Sequence, residues 1–295
     1  VIGAWNHGGD KNANQYLKDY SPPQPSLTAQ WLEDLRFFDQ HLKCVETGVM
    51  DEGVLTYLTM GSETWERTTS WPIEGTEFQR LYICDGHKLS VGHPVSDTAF
   101  DNYVVDFSAT TGEGGHWHTE FRGTDVIYED RTGPDELLLT YTSGPLKGDL
   151  QVTGYPVITL YVSSNHTDGA FLVYLEDVAP DGHIRYVTGG ELRAIHRKIS
   201  DESPPYHMFM PNHTYKRGDA KPLVPGEITE LVIGMQPTSV MFKKGHSIRV
   251  AISGHDQGVF SKTPGVEDEI VMFDIHRSSK YASRIELPVV LGQLS

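Results

Sequence analysis

The chain has 295 residues, a formal net charge of −16 and two cysteines, Cys44 and Cys84. The acidic balance disfavours binding to the phosphate backbone of nucleic acids. Two cysteines without CxxC spacing predict neither a disulfide framework nor a structural zinc site. No apolar run reaches the ~18 residues of a membrane span, and no basic-then-apolar leader opens the chain. We therefore expect a soluble protein without a membrane partner, cytoplasmic rather than secreted.

The first nine residues, "VIGAWNHGG", read as the end of a buried strand that runs into a loop carrying His7. The local pattern alone leaves His7 open between two interpretations. It is either an ordinary surface side chain or a histidine delivered by a strand end for chemistry.

One helix is predicted, over about residues 28–43, in "SLTAQWLEDLRFFDQHLK". Ser26 or Thr28 can cap it, because their hydroxyls accept from free N–H groups of the first turn. Four apolar residues then recur with a period of 3.6 residues and form one stripe: Trp31, Leu35, Phe38 and Leu42. Such a stripe is expected to pack against another surface, which could be the following domain, a neighbouring chain or a site left vacant by a missing core.

From about residue 53 the period of the pattern changes to two, which is typical of strands. Short runs rich in Val, Ile, Leu, Thr and Tyr alternate with Gly-, Pro-, Asn- and Asp-rich turns, of which "PDG" at 180–182 is the clearest. The predicted strands are "VLTYLTM", "EFQRLYIC", "ELLLTYTS", "PVITLYVSS", "GAFLVYLEDV", "YVTGGELRAIHR", "EITELVIGM" and "HSIRVAISG". The fold class is therefore predicted as mainly β, with a jelly-roll β-sandwich over residues 53–295 after a short helical segment, 1–52.

A second candidate site lies in "HWHTE", where a strand would place His116, His118 and Glu120 on one face. Two histidines and a carboxylate are a possible zinc or iron ligand set. Spacing them along a line suits a single metal poorly, so no metal is predicted. Another acidic cluster, Asp97, Asp101 and Asp106, lacks the compact spacing of a calcium loop.

Several motifs, in the same order, resemble the CocE/NonD family of α/β-hydrolases, which includes cocaine esterase and X-prolyl dipeptidyl peptidases. The opening "VIGAWNHGG" is similar to the family's Gly-Pro-Trp-x-His segment, with Ala4 where the family usually has Pro. "MGSETWERTTSWP" resembles the link into the family's β domain. The matches continue through "YTSGPLKGDLQVTGYPVITLYVSS", "LEDVAPDGHIRYVTGGELRA" and "FKKGHSIRVAISG", which resemble the family's C-terminal jelly roll.

The resemblance implies that His7 is the histidine of a Ser-His-Asp triad, since in α/β-hydrolases the histidine follows the serine and the acid along the chain. No G-x-S-x-G nucleophile motif occurs in the sequence, and only six residues precede His7. The resemblance therefore implies that residues 1–52 are the end of a catalytic core whose earlier part is missing. In that reading the helix is the last helix of the core, and its stripe packed on the absent sheet.

Two classes of function follow. The first is the C-terminal part of a serine hydrolase that cleaves a small ester, amide or peptide, needs no cofactor and is inactive as an isolated chain. The second is a jelly-roll module that binds a partner such as carbohydrate, or is structural, and does no catalysis. An exposed aromatic platform would favour binding, whereas an uncovered apolar face would favour the hydrolase. Assembly into a homo-oligomer is compatible with both.

Overall fold

The structure is a computed structural model that describes residues 1–17, 24–53, 55–122, 126–266 and 269–294. Its long helix, α1, spans Leu27–Lys43 and confirms the predicted helix. The Ser26 hydroxyl caps it by accepting from the Ala29 N–H at 3.4 Å. Cys44 ends it in the left-handed conformation, with φ of 56°.

The rest of the chain is mainly β, as the period-two pattern predicts. All eight predicted strands are present, although Val54, which opens the first predicted run, lies outside the described residues. The strands are β1 Leu55–Thr59, β2 Thr64–Thr68, β3 Glu77–Cys84, β4 Lys88–Ser90, β5 Phe100–Val104, β6 Leu139–Ser143, β7 Leu150–Gly154, β8 Val157–Ser164, β9 Ala170–Val178, β10 Ile184–Arg193, β11 Thr229–Gly234, β12 Thr238–Phe242, β13 Ser247–Ser253, β14 Met272–His276 and β15 Arg284–Leu291.

The strands form two mainly antiparallel layers. One layer has the order β10-β9-β13-β6. In the other, β15 pairs with β3 on one side and with β7 and β8 in succession on the other. The layer continues from β8 to β11 and β14, and from β14 to β5. The short strand β4 joins the layers, since it pairs with β3 and, in parallel, with β6.

The core lies between the two layers. Alternate residues of β8, β9 and β13 point into one buried apolar cluster, although β8 is not hydrogen-bonded to the other two. This arrangement is that of a β-sandwich, because each layer buries one face against the other. The two faces meet through side chains such as Leu160, Val173 and Val250, all with 0% exposure.

A separate hairpin, β1–β2, links the first residues of the chain to the sandwich. The Ile2 N–H donates to the Thr56 carbonyl at 2.8 Å, and the Ile2 carbonyl accepts from Leu58 at 3.0 Å. Met60, just after β1, donates to the Ser239 carbonyl of the sandwich at 3.0 Å. The predicted opening strand is thus present only as single bridges at Ile2 and Trp5. The division at residues 52 and 53 stays a prediction.

The apolar stripe of α1 is not covered by the sandwich. All four of its side chains are exposed, from 51% for Leu35 to 75% for Leu42, and α1 has no buried residue. The following domain is therefore excluded as the surface on which the stripe packs in this chain. Packing on a neighbouring chain or on a preceding catalytic core stays a prediction.

The prediction of a strand at "HWHTE" is wrong, because His116–Arg122 form a short helix, α2. The Thr119 N–H donates to the Gly115 carbonyl at 3.1 Å, and its hydroxyl donates to the His116 carbonyl at 2.8 Å. Trp117 packs edge-on against Phe260, with ring centres 5.9 Å apart. A helix rotates each residue by ~100°, so His116 and His118 do not share a face as they would in a strand.

The side chain of the third predicted ligand, Glu120, lies outside the described part of the structure. Among the residues that are described, no three His, Cys, Asp or Glu side chains come together in a way that could hold a metal ion. The helices of this described portion are also too short or too polar to cross a membrane.

Candidate active-site histidine and the adjoining cavity

His7 lies exposed in a tight loop that Asn6 closes. The Asn6 N–H donates to the Lys11 carbonyl at 3.0 Å, and its carbonyl accepts from Gly9 at 3.0 Å. Its side-chain oxygen accepts from the N–H groups of Asp10 and Lys11 at 3.1 and 3.2 Å. The backbone on both sides of the imidazole is therefore fixed by a single asparagine.

Helix α1 anchors the same loop through Gln30. The Gln30 amide donates to the carbonyls of Gly9 and Pro25, each at 3.0 Å. Gly9 has a φ of +69°, and a Cβ atom there would lie 2.7 Å from the Gln30 side-chain oxygen. Glycine is favoured at position 9 by this left-handed backbone, whereas the Gln30 oxygen is the end of a flexible side chain that can shift. The loop and the first turn of α1 form one unit that presents His7 to solvent.

The structure also brings together a serine, an aspartate and a histidine that the sequence analysis did not single out. On the outer face of β8 and β14, the Ser163 hydroxyl lies 3.0 Å from His276 Nε2 and donates to Asp274 at 3.2 Å. In a catalytic triad the carboxylate orients the imidazole and the imidazole accepts the serine proton. Here the carboxylate of Asp274 contacts the serine instead of the imidazole, and burial lowers the pKa of His276. Ser163 is also only 4% exposed. This cluster is not arranged as a triad.

A cavity of about 480 Å³ lies between the first residues of the chain and the sandwich. Trp5, two residues before His7, forms part of one wall. Trp71 contributes another wall and makes edge-to-face contacts with Tyr57 at 6.4 Å and Tyr155 at 6.1 Å. Within the described part of the chain, none of the lining side chains carries a charge. The motif "TSWP" resembles only an inter-domain link, so no signal in the sequence marks Trp71 as part of a site.

Polar side chains beside this cavity bond mostly to each other. The Ser239 hydroxyl lies 2.8 Å from both Thr59 and Thr153. Glu66 accepts from Thr59 at 2.7 Å and from the Tyr57 hydroxyl at 2.9 Å. Burial and the neighbouring Glu66 carboxylate raise the pKa of Tyr57, so its phenol stays neutral.

Thr238 is the exception in this polar network. It lines the cavity and is 9% exposed, yet its hydroxyl has no hydrogen-bond partner among the described residues. A buried hydroxyl without a partner costs free energy. The Thr238 hydroxyl oxygen itself has almost no accessible surface, so the residue lines the cavity with its other atoms.

A smaller cavity, of about 220 Å³, lies beside a buried charge cluster. Arg131 in its wall donates to Glu176 at 3.2 Å and lies 3.4 Å from Asp135. Arg249 donates to the other oxygen of Asp135 at 3.0 Å. Burial and the adjacent Asp135 carboxylate raise the pKa of Glu176. Two guanidinium groups and two carboxyl groups thus compensate each other and hold the segment after residue 130 against β9 and β13.

Comparison with known proteins places the chain in a family. Residues 47–286 match the model of the X-Pro dipeptidyl-peptidase C-terminal non-catalytic domain. The "Putative serine esterase" of Mycobacterium bovis is 43% identical over 98% of this chain and 45% of its own length. Cocaine esterase of a Rhodococcus species is 26% identical over 98% of this chain and 51% of its own length.

A solved structure has the same fold. A CocE/NonD family hydrolase from Staphylococcus aureus superposes with a TM-score of 0.67 at 18% identity, over 90% of this chain and 47% of that one. The chain spans about half the length of the curated relatives it matches. These findings confirm the resemblance to the CocE/NonD family, and the chain belongs to the family of X-Pro dipeptidyl-peptidase C-terminal domains.

Proposed function

We propose that this chain is the C-terminal part of a serine hydrolase that cleaves an ester or amide, with His7 as the base of its triad. The observation that carries the proposal is the placement of His7. It is exposed in a loop that Asn6 closes and Gln30 ties to α1. A base that shuttles protons must keep its orientation through both half-reactions, and this loop supplies that rigidity.

In the proposed mechanism, His7 accepts the proton of the serine hydroxyl as the serine attacks the carbonyl. It then gives that proton to the leaving alcohol or amine, and an acyl-enzyme is formed. Water attacks the acyl-enzyme in the second half, again with His7 as the base. The serine and the acid belong to the preceding residues of the parent protein, since the sequence of this chain has no G-x-S-x-G.

The uncovered stripe of α1 supports this proposal over a binding module. Four large apolar side chains in one row are exposed, and such a patch indicates a surface that another part of a protein covers. The proposed occupant is the catalytic core of the same parent protein. Residues 1–52 are accordingly proposed as the end of that core and 53–295 as the jelly roll.

The decisive experiment measures hydrolysis of p-nitrophenyl esters by the whole parent protein and by its His7→Ala variant. We expect the substitution to lower kcat by roughly 10⁴-fold, because the members of a triad act as a unit and losing the base costs nearly as much as losing the serine.

His93→Ala is the matched control, because His93 is also exposed but lies on the sandwich. We expect this variant, and the variants His116→Ala and His118→Ala, to stay within a few-fold of the parent rate. A parent enzyme that is indifferent to His7→Ala would contradict the assignment of the base.

A further inference from the structure

We propose that Asp177, on β9 of the sandwich, is a positioning residue for His7: it binds Tyr16, and Tyr16 fixes the segment that carries His7. The sandwich thereby contributes to catalysis without supplying a reacting group. The effect on catalysis rests on the proposed function of His7, whereas the attachment of the segment to the sandwich does not.

Asp177 is a buried carboxylate at the end of the core face of β9. It has 0% exposure and follows Val173 and Leu175 on the face that lines the apolar cluster. A carboxylate in such a place is stable only with hydrogen-bond donors. One of its oxygens accepts from the Tyr16 hydroxyl at 3.0 Å, and the other lies 2.8 Å from His246 Nδ1. Within the described part of the chain, no other side chain bonds to this carboxylate.

Tyr16 matches this carboxylate in both position and chemistry. Its ring packs against the main apolar cluster of the sandwich, and the Arg185 guanidinium lies 5.5 Å from the ring centre. Burial and the Asp177 carboxylate raise the pKa of the Tyr16 phenol, so the hydroxyl keeps the proton that it donates. A phenylalanine would fill the same space but would leave the carboxylate oxygen without its donor, which costs free energy in a buried site.

The two residues before Tyr16 are attached to the same side of the molecule. The Asn14 amide donates to Glu63, in the turn between β1 and β2, at 2.7 Å. The Gln15 amide donates to the Tyr186 carbonyl on β10. Three consecutive side chains therefore fasten this segment to the hairpin and the sandwich, and Tyr16 is the one that reaches a buried charge.

The fastened segment is continuous with the loop that carries His7. Residues 4–6 and 11–13 pair antiparallel through backbone hydrogen bonds of 2.8 and 3.0 Å, with His7 at the turn between them. The first stretch is held at Ile2, which pairs with β1, and the second is held at Tyr16. Loss of the bond to Asp177 therefore releases one of the two ends by which the loop is held.

The first test measures hydrogen–deuterium exchange in the 295-residue chain and in its Tyr16→Phe variant. We expect the amides of residues 1–17 to exchange at least ~10-fold faster in the variant, because a hydrogen bond to a charged group corresponds to such a factor in an opening equilibrium. Tyr141→Phe is the matched control, since Tyr141 is also buried and its hydroxyl donates to a carboxylate, Asp101, at 2.9 Å between β6 and β5. It should leave the exchange of residues 1–17 unchanged.

The second test measures kcat and KM of the parent protein. Tyr16→Phe should lower kcat by roughly 10- to 100-fold and leave KM within about twofold, because a displaced base slows proton transfer without weakening substrate binding. Asp177→Asn should stay within a few-fold of the parent kcat, since its oxygen can accept from Tyr16 while its amide donates to the other tautomer of His246. Asp177→Leu cannot accept a hydrogen bond and should match Tyr16→Phe.

Two results would overturn the proposal: unchanged exchange of residues 1–17 in Tyr16→Phe, or the same increase in Tyr141→Phe. A parent enzyme that loses activity with His7→Ala but keeps its kcat with Tyr16→Phe would overturn the effect on catalysis. A parent enzyme indifferent to His7→Ala contradicts the proposed function alone, and the exchange experiment then decides whether Asp177 holds the segment.

Discussion

Glu191 on β10 is the residue whose ionisation should be most visible in the stability of the chain. Burial raises its pKa from 4.5 to about 7. The folded chain therefore binds the Glu191 proton more tightly than the unfolded chain does. This contribution to stability is present below pH 4.5 and is lost as the pH rises through 7.

We predict that Glu191→Gln removes this loss. The urea midpoint of the unsubstituted 295-residue chain should fall between about pH 5 and pH 8. The midpoint of the Glu191→Gln variant should fall less over the same interval, because glutamine does not ionise. Glu74→Gln changes an exposed carboxylate and serves as the control. If the Glu74 and Glu191 variants had the same pH profile, burial of Glu191 would not be the cause.

A catalytic triad requires a particular arrangement of its residues and not only their presence. The cluster of Ser163, His276 and Asp274 illustrates this. Their distances are within hydrogen-bond range, but Asp274 contacts the serine and not the imidazole. Asp274 is therefore not placed to orient the imidazole as the acid of a triad does. The types of residue are therefore less informative than the order in which the hydrogen bonds run.

The exposed stripe of α1 leads to a prediction at the scale of elements. In this chain Leu35 is 51% exposed, so Leu35→Gln should change the free energy of unfolding by less than ~0.5 kcal/mol. In the parent protein, where the proposed core covers the stripe, the same substitution should cost about 1.5–3 kcal/mol, the value of burying a large apolar side chain.

Chemical denaturation of both proteins measures this difference. Glu33→Gln, on the opposite face of α1, is the matched control and should have a small effect in both. Equal effects of Leu35→Gln in the chain and in the parent would show that nothing covers the stripe.

Periodicity predicted α1 correctly and the segment "HWHTE" wrongly. α1 is confirmed because its period, its Ser26 cap and its length of nearly five turns all agree. "HWHTE" is too short for periodicity to distinguish a strand from a helix. Its helical form depends on contacts distant in sequence, such as Trp117 with Phe260.

At the scale of the whole molecule, the proposal assigns the serine and the acid of the triad to the preceding residues of the parent protein. It therefore predicts that this chain alone has no hydrolase activity. It should neither hydrolyse p-nitrophenyl esters above background nor react with a fluorophosphonate probe. The reason is that the sequence contains no nucleophile motif, and a histidine without an activated serine forms no acyl-enzyme.

The parent protein is the positive control and should be labelled by the same probe. Labelling of this chain on a serine would contradict the assignment of the nucleophile to the preceding residues. Mapping the labelled residue would then identify the nucleophile.

The sequence by itself determined the class of fold and the location of α1 and of eight of the strands. Alternation of apolar and polar residues follows directly from the geometry of a strand, so runs such as Glu77–Cys84 could be assigned without knowledge of their partners. The motifs from "VIGAWNHGG" to "FKKGHSIRVAISG" likewise indicated the family, because each is a run of neighbouring residues and they occur in the family's order.

Only the tertiary structure decided which residues meet. The cavity is lined by residues that are far apart in the sequence, among them Trp5, Trp71, Tyr155 and Thr238. It exists only once the first residues pair with β1 and β1 attaches to β12. The exposure of the α1 stripe was likewise undetermined by its pattern. Periodicity states that a face is apolar, whereas packing decides what covers it, since burial depends on surfaces supplied by residues elsewhere in the chain or in the parent protein.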